Sequence, residues 1–180
     1  MLYTRTGDGG ESGLYGTKER FPKHHPVYEA LGSVDELNSL IGLIRAYAHE
    51  RRDDDTSDQL YRVQEMLFVV QAELAGADKR ITQTEVEALE SAIGTIEASI
   101  EKPRSFLVPG ATVASALFDY ARTVSRRAER SVLRAQGERE IDAALRAYLN
   151  RLSSFFYALA RHAAQTEAVT EKAPAYNLPR

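Results

Sequence analysis

The chain contains no cysteine among its 180 residues. That absence excludes disulfide bonds, cysteine-ligated metal sites and thiol catalysis. It is also compatible with a reducing compartment, and we expect the protein to be cytoplasmic. No apolar stretch is long enough to cross a membrane, and the first residues are polar and rich in glycine, unlike a secretory signal. We therefore expect no membrane partner.

The chain has no excess of positive charge. Lysine and arginine total 23 against 26 aspartate and glutamate residues, for a net charge of −3. A protein that binds nucleic acid through a basic domain is therefore not expected. Hydrophobic residues make up 43% of the chain, and its length suits one domain with a sizeable core, so we predict a single domain over residues 1–180.

Several signatures of catalysis are also missing. No Glu-x-x-His pair is present, which argues against a di-iron helical bundle. The four histidines suggest no Ser–His–acid arrangement, and no Gly-Lys-Ser/Thr sequence follows a strand as in a P-loop. The protein therefore offers no obvious nucleophile or resident metal of its own.

Apolar residues recur every three or four positions in five segments, a spacing typical of amphipathic helices. The predicted helices run from Pro26 to about Ala48, from after Asp55 to about Leu74, from Thr82 or Thr84 to about Ile100, from Thr112 to Ala135, and from Arg139 to Gln165. No segment favours a β-strand. The sequence thus predicts an all-α, five-helix bundle over residues 26–166, preceded by a Gly-rich loop at 1–25 and followed by a mobile tail at 167–180.

The fourth predicted helix carries an unusual row of arginines. Arg122, Arg126, Glu129 and Arg130 lie three or four residues apart and so share one face. A row of arginines with one acid indicates an external anion or a partner chain, since the guanidinium group suits phosphate and carboxylate and keeps its charge. A solvated helix face is the alternative.

The N-terminal segment combines glycines with hydroxyl groups and cations. Glycines let backbone N–H groups approach a phosphate closely, and Thr, Ser, Arg and Lys side chains add donors. The segment could equally be a flexible tail. On composition alone, either description fits.

Two polar groups stand out within the predicted helices. Asp35 and Asn38 lie on neighbouring turns of one face, and Asp35 could pair with an arginine, including one from another subunit. Asn150 can both donate and accept hydrogen bonds, which suits a nucleotide. An exposed polar helix face and a surface amide are the respective alternatives.

Five motifs occur together in this chain, at residues 4–10, 32–38, 106–110, 121–130 and 148–153. They read Thr-Arg-Thr-Gly-Asp-x-Gly, Gly-Ser-Val-Asp-Glu-Leu-Asn, Phe-Leu-Val-Pro-Gly, Ala-Arg-Thr-Val-Ser-Arg-Arg-Ala-Glu-Arg and Tyr-Leu-Asn-Arg-Leu-Ser. In this order and spacing they resemble the PduO-type ATP:cob(I)alamin adenosyltransferases. The resemblance covers residue 3 to about residue 162.

The resemblance implies a homotrimer with ATP and the corrinoid bound at each subunit interface. The N-terminal loop would wrap the triphosphate of ATP, with Mg²⁺ carried on the phosphates rather than by a protein metal site. The residues implied in ATP binding are Thr4, Arg5, Thr6, Gly7, Gly10, Ser12, Lys23, Arg126, Glu129, Arg130 and Asn150.

Further roles follow from the same resemblance. Arg126, Glu129 and Phe106 would be the catalytic residues, with Phe106 beside the corrin displacing its lower axial ligand. Asp35 and Arg122 would form an ion pair between subunits. The chain departs from the family pattern at Ser12, where a threonine is usual, at Ala111 in place of a glycine, and around Asp119, where a histidine is frequent.

The implied reaction transfers the 5′-deoxyadenosyl group of ATP to the cobalt of cob(I)alamin and releases triphosphate. Because the nucleophile belongs to the corrinoid, the protein needs no catalytic Ser, Cys or His. A reductase and an adenosylcobalamin-dependent enzyme are implied as transient partners. The alternatives are a non-catalytic, ATP-dependent cobalamin carrier and a structural bundle whose arginines pair across subunits.

Overall fold

The computed structural model describes residues 3–176 and consists mainly of five helices. They are α1 (Pro26–Glu50), α2 (Asp54–Ala75), α3 (Gln83–Ser99), α4 (Val113–Ala135) and α5 (Ala143–Thr166). The predicted five-helix architecture is confirmed. Among the described residues, no helix has both the length and the apolar character needed to cross a membrane.

The prediction that the chain has no β-strand is wrong. Strands β1 (Glu11–Gly13) and β2 (Arg20–Pro22) pair antiparallel, with Ser12 opposite Phe21. Strands of three residues are too short to show an alternating pattern in the sequence. The Arg20 guanidinium stabilises the ribbon from within the loop, because its Nη2 donates to the carbonyl oxygens of Thr6 at 2.7 Å and Glu11 at 2.8 Å.

Helix α4 lies at the centre of the bundle, between α1 and α5. Helix α2 packs against α1, and α3 packs against α5. The predicted apolar faces meet in one core, whose fully buried members include Leu37, Ile41, Leu67, Leu149 and Leu152. Because α1 and α5 flank α4, side chains of these two helices border the arginine face of α4.

Two helices begin at capping boxes, in which the cap side chain and the third helical residue bond each other's backbone. Thr82 precedes α3, and its backbone N–H donates to Glu85 Oε2 at 2.8 Å. Thr112 precedes α4 and pairs in the same way with Ser115. The alternative predicted start of α3 at Thr84 is not used.

Helix α5 begins four residues later than predicted. Asp142 is its N-cap, with an extended backbone at φ −61° and ψ 149°, and the helix starts at Ala143 rather than near Arg139. Aspartate is common at N-caps because its side chain can accept from the first backbone N–H groups, although the Asp142 side chain forms no such bond here. Ile141 lies just before the helix but is buried in the core, so its apolar side chain fits the helical spacing although it is not part of the helix.

The segment that follows α5 has defined contacts as far as the structure describes it. The Val108 N–H donates to the carbonyl oxygen of Lys172 at 2.8 Å, and Val169 N–H donates to Ala164 at 3.0 Å. Its predicted mobility in solution stays a prediction, and residues 177–180 of the predicted tail lie outside the described residues.

Candidate functional site

The N-terminal loop brings several of the predicted phosphate-binding residues together. Lys23 donates its backbone N–H to the Gly10 carbonyl at 2.8 Å, so β2 returns to the start of the loop. The Lys23 ammonium lies over Gly7, where an added Cβ would be 3.1 Å from Nζ. The hydroxyl groups of Thr4 and Thr6 are 2.8 Å apart. The hairpin thus places the Lys23 ammonium over Gly7, and two hydroxyl groups lie side by side in the segment just before it.

The backbone of this loop turns sharply. Arg5 has φ 61° and Gly10 has φ 82°, both in the left-handed region. Asp8 N–H donates to the Arg5 carbonyl, and Gly10 N–H donates to the Gly7 carbonyl, both at 3.2 Å. Successive turns of this kind form the concave backbone surfaces that bind anions in other proteins.

The base of the hairpin is attached to the bundle near the α4–α5 connection. His25 caps α1, where its Nδ1 accepts from Val27 N–H at 3.4 Å, and its Nε2 lies 3.7 Å from Glu138 Oε2. Leu14, between the two strands, is buried in the common core. The loop is therefore anchored at the end of the bundle where α4 finishes.

The arginines of α4 divide into paired and unpaired groups. Arg122 Nε contacts Asp119 Oδ1 at 3.2 Å, and Arg127 pairs with Glu36 on α1. Arg126 and Arg130 are exposed, and within residues 3–176 neither forms an ion pair with a carboxylate. The two unpaired guanidinium groups are therefore available to an anion or to a partner chain.

Glu129 and Asn150 are brought into contact across α4 and α5. Asn150 Nδ2 donates to Glu129 Oε1 at 2.9 Å, and Asn150 Oδ1 accepts from Arg151 Nη1 at 2.9 Å. Arg151 is itself held by Glu90 on α3 at 2.7 Å. Since a guanidinium only donates and a carboxylate only accepts, this network fixes the orientation of the Asn150 amide.

Arg151 belongs to the fifth motif, but its sequence context predicts no role for it. Its partners Glu90 and Asn150 come from different helices, so no local pattern connects the three residues. Arg151 follows Asn150 directly, and that adjacency was the one signal available.

Asp35 and Asn38 do not form one exposed polar face of α1. Asp35 is exposed, with Oδ1 3.5 Å from Gln71 Nε2, whereas Asn38 is 5% exposed and faces the core. Asp35 and Arg122 form no ion pair within the described chain, where Arg122 contacts Asp119 instead. Their predicted pairing between subunits stays a prediction.

Phe106 lies in the connection between α3 and α4 and is 81% exposed. Val108 and Val113 nearby are also exposed, at 49% and 61%. The connection before α4 and the first residue of α4 thus carry three exposed apolar side chains. Exposed apolar side chains of this kind can contact a flat apolar ligand or a partner chain.

Phe106 and the N-terminal loop lie towards opposite ends of α4. The helix has 23 residues, and at 1.5 Å per residue it is about 34 Å long. Phe106 precedes its first turn, whereas the base of the loop contacts Glu138 just beyond its last turn. Arg126 and Glu129 lie between these ends.

The described residues contain no group of three or more His, Asp or Glu side chains that could hold a metal ion. Phosphate oxygens are suitable ligands for Mg²⁺, which is commonly held through substrate phosphates.

The family model described as cobalamin adenosyltransferase matches residues 2–163 of this sequence. The chain belongs to this family. Its match includes both clusters described above, the N-terminal loop and the Glu129–Asn150 pair, together with Phe106.

Relatives of the cobalamin adenosyltransferase family are found in bacteria and mammals. The chain is 39% identical over 167 residues to the corrinoid adenosyltransferase PduO of Salmonella typhimurium, covering 89% of this chain and 48% of that protein. It is 38% identical over 165 residues to the Bacillus subtilis corrinoid adenosyltransferase, covering 89% and 84%. The chain thus spans about half the length of the Salmonella protein and most of the Bacillus one.

Solved structures of the family share this fold. A Phe-to-His variant of the PduO-type ATP:corrinoid adenosyltransferase from Lactobacillus reuteri, complexed with cobalamin and ATP, has a TM-score of 0.87 at 29% identity and covers 98% of this chain and 97% of that one. An Arg-to-Lys variant complexed with ATP has a TM-score of 0.88 at 29% identity, covering 97% and 100%. The similarity extends over the whole helical bundle.

Proposed function

We propose that this protein transfers the 5′-deoxyadenosyl group of ATP to the cobalt of cob(I)alamin. The observation that carries the proposal is the similarity of nearly the whole chain, 98%, to an enzyme complexed with both cobalamin and ATP. The Glu129–Asn150 contact and the unpaired Arg126 support it, because they provide matched donors and acceptors for a charged nucleotide.

The chemistry requires no nucleophile from the protein. The electron pair of Co(I) forms a bond to C5′ of the ribose, the C5′–O bond breaks, and triphosphate leaves with the electron pair of the C5′–O bond. The reactive centre belongs to the corrinoid substrate, so the protein has to position the two substrates and stabilise the departing charge.

The residues of the N-terminal loop suit the departing triphosphate. The Lys23 ammonium, the Thr4 and Thr6 hydroxyls and the turns at Gly7 and Gly10 provide donors in one place. Arg5 and Ser12 flank the same loop. Mg²⁺ would be held mainly by phosphate oxygens and would neutralise part of their charge.

The residues on α4 and α5 suit the nucleotide itself. Arg126 and Arg130 can donate to phosphate oxygens as this charge develops. Asn150, whose amide is oriented by Glu129 and Arg151, has a second N–H and a second lone pair left for the ligand. Phe106 would lie against the lower face of the corrin and exclude the axial ligand, which makes Co(II) easier to reduce.

We further infer a homotrimer in which neighbouring subunits complete each site. Reaction requires C5′ and cobalt in near contact, yet Phe106 and the N-terminal loop of one subunit lie towards opposite ends of a helix about 34 Å long. In a trimer, Phe106 of one subunit and the N-terminal loop of a neighbouring subunit can form one site, so that C5′ and cobalt come together. The exposed, unpaired arginines of α4 are suitable interface groups.

The first prediction concerns turnover. With MgATP and anaerobically reduced cobalamin, the purified protein should form adenosylcobalamin and equimolar triphosphate, followed as loss of the Co(I) absorbance. Cobalamin without ATP is the control and should keep its Co(I) spectrum. Binding of ATP and cobalamin with no product under these conditions would favour the carrier, and no ATP binding would favour a structural bundle.

The second prediction concerns Asp35 and Arg122. If they pair between subunits, the single changes Asp35→Ala and Arg122→Ala should be non-additive by about 1–2 kcal/mol in a double-mutant cycle on trimer stability. The cycle is needed because Arg122 also contacts Asp119, a contact that cancels in the coupling term. Additive effects would mean that the two side chains do not touch in the trimer.

A further inference from the structure

A buried charge cluster links α4, α5 and the chain beyond α5. Arg161 on α5 is 1% exposed, and its Nη2 lies 2.5 Å from Asp119 Oδ2 and 3.1 Å from Glu171 Oε1. The other oxygen of Asp119 contacts Arg122 at 3.2 Å. Two guanidinium groups therefore face two carboxylates, and the cluster is balanced in charge.

Glu171 enters this cluster from outside the helical bundle. After α5 ends at Thr166, Ala168 has φ 54° and Val169 N–H donates back to the Ala164 carbonyl. The chain thereby reverses, and the Glu171 side chain is left only 9% exposed beside Arg161. We call residues 167–172 the C-terminal strap.

The strap is joined to the connection that carries Phe106. The carbonyl oxygen of Lys172, the residue after Glu171, accepts from Val108 N–H at 2.8 Å. At the start of the same connection, the Gln165 side chain bonds both the N–H and the carbonyl of Glu101 at 2.9 Å. Residues 101–111, the Phe106 loop, are thus clamped on both sides of Phe106.

The position of Phe106 depends on these clamps because its own side chain is 81% exposed. Val108 lies two residues from Phe106, and its clamp depends on where the strap lies. The strap carries the Glu171 carboxylate from water into the cluster, where Oε1 forms an ion pair with Arg161 but no hydrogen bond. Burial raises the pKa of this carboxyl, and Arg161 opposes the shift.

A buried ion pair of this kind is weak evidence for stability alone, since desolvation offsets much of its attraction. Arg161 already has a carboxylate partner in Asp119, and Arg122 shares that partner. Asp119 and Glu171 together balance the charges of Arg122 and Arg161. Because Glu171 is the carboxylate that comes from the strap, it also defines the position of the strap.

We propose that Glu171 is a positioning residue, which acts through the strap and Val108 to hold Phe106 where it meets the corrin. The proposal rests on the function proposed above for Phe106. It predicts that replacing Glu171 changes the KM for cobalamin and leaves the KM for ATP nearly unchanged.

The first test measures the loop without substrates, by amide hydrogen exchange of Glu171→Gln, which keeps the size of the side chain and removes its charge. Loss of the Val108 clamp, a hydrogen bond worth about 1 kcal/mol, should speed exchange at Val108 roughly fivefold. Glu167→Gln is the matched control, because Glu167 lies on the same strap and pairs with Arg51 at 3.8 Å near the surface. Unchanged exchange at Val108 in Glu171→Gln would overturn the proposal.

The second test separates the two substrates. Glu171→Gln should raise KM for cobalamin about fivefold and leave KM for ATP within twofold, with less four-coordinate Co(II) in its spectrum. Phe106→Ala should do the same more strongly, and the double variant should match Phe106→Ala alone because Glu171 acts through Phe106. Additive effects, or an equal rise in KM for ATP, would overturn the proposal.

If the role assigned to Phe106 is wrong, the results will differ from those expected if only the role of Glu171 is wrong. If Phe106→Ala leaves KM for cobalamin unchanged, the role of Phe106 is wrong, and the catalytic part of the Glu171 proposal is overturned with it. Faster exchange at Val108 in Glu171→Gln would then still show that this carboxylate holds the loop.

Discussion

Replacing Arg126 by alanine is expected to lower kcat/KM by about 30- to 900-fold, equivalent to roughly 2–4 kcal/mol of transition-state stabilisation. Arg126 is exposed on α4, it forms no ion pair with a carboxylate among residues 3–176, and it lies one turn from Glu129. Its donors are thus free for the nucleotide or its departing phosphates. Initial rates of Co(I) loss over a range of ATP concentrations measure the effect.

Two further variants test whether the loss of activity is specific to the guanidinium group at position 126. Arg126→Lys should also lose most of its activity, because lysine keeps the charge but not the planar fork of donors. Arg134→Ala removes an exposed arginine from the last turn of the same helix and should leave kcat/KM nearly unchanged. Near-normal kcat/KM in Arg126→Ala would refute the role assigned to Arg126.

Removing the N-terminal loop is expected to weaken ATP binding more than 100-fold, about 3 kcal/mol, while the helical bundle still folds. Deleting residues 1–10 removes Thr4, Thr6 and the glycines of the first turns but leaves β1, β2 and the buried Leu14 in place. Each lost charge-assisted bond to phosphate contributes about 1.5–3 kcal/mol, so a few of them account for the effect. Calorimetry with MgATP measures the affinity, and circular dichroism measures the helix content.

A pair of lysine variants provides a finer version of the same test. Lys23→Ala removes the ammonium that lies over Gly7 and should weaken ATP binding about tenfold. Lys18→Ala makes the same change of charge in the exposed turn between β1 and β2 and should have little effect. Equal losses in the two variants would show a general effect of charge and would move the phosphate site elsewhere.

The ordering of the N-terminal loop by ATP can be measured by amide hydrogen exchange. Fixing glycines costs conformational entropy, and the triphosphate supplies partners for their N–H groups, so residues 4–13 should exchange amide hydrogens more slowly with MgATP than without it. Hydrogen exchange with magnesium alone is the control. Equal protection in the two states would show that the loop is formed before ATP binds.

Much of the fold could be predicted because its signals are local. Leu60, Leu67 and Leu74 repeat at the helical period, and their burial on α2 needs no knowledge of what covers them. Thr82 and Glu85 are three residues apart, so a capping box is visible as a pair of letters. The start of α5 was predicted too early because Ile141 keeps the apolar period although the helix begins only after its N-cap, Asp142.

The candidate site was predictable only as separate motifs. Arg126 stood out in a row of arginines and Asn150 as a helical amide, and the family resemblance gave both a role in ATP binding. Their side chains carry no local sign of lying in the same region. The Glu129–Asn150 contact joins residues 21 positions apart, and its geometry follows from how α4 packs on α5.

By itself, the sequence determined five amphipathic helices, their apolar faces and the family motifs, because each of these is encoded by residues within a few turns of one another. Only the tertiary structure decided that Arg151 orients Asn150, and that Arg161 meets both Asp119 and Glu171 in a buried cluster. A single charged residue has no period, so whether it meets solvent or a partner depends on elements far away in the chain. Its role becomes visible only where those elements pack together.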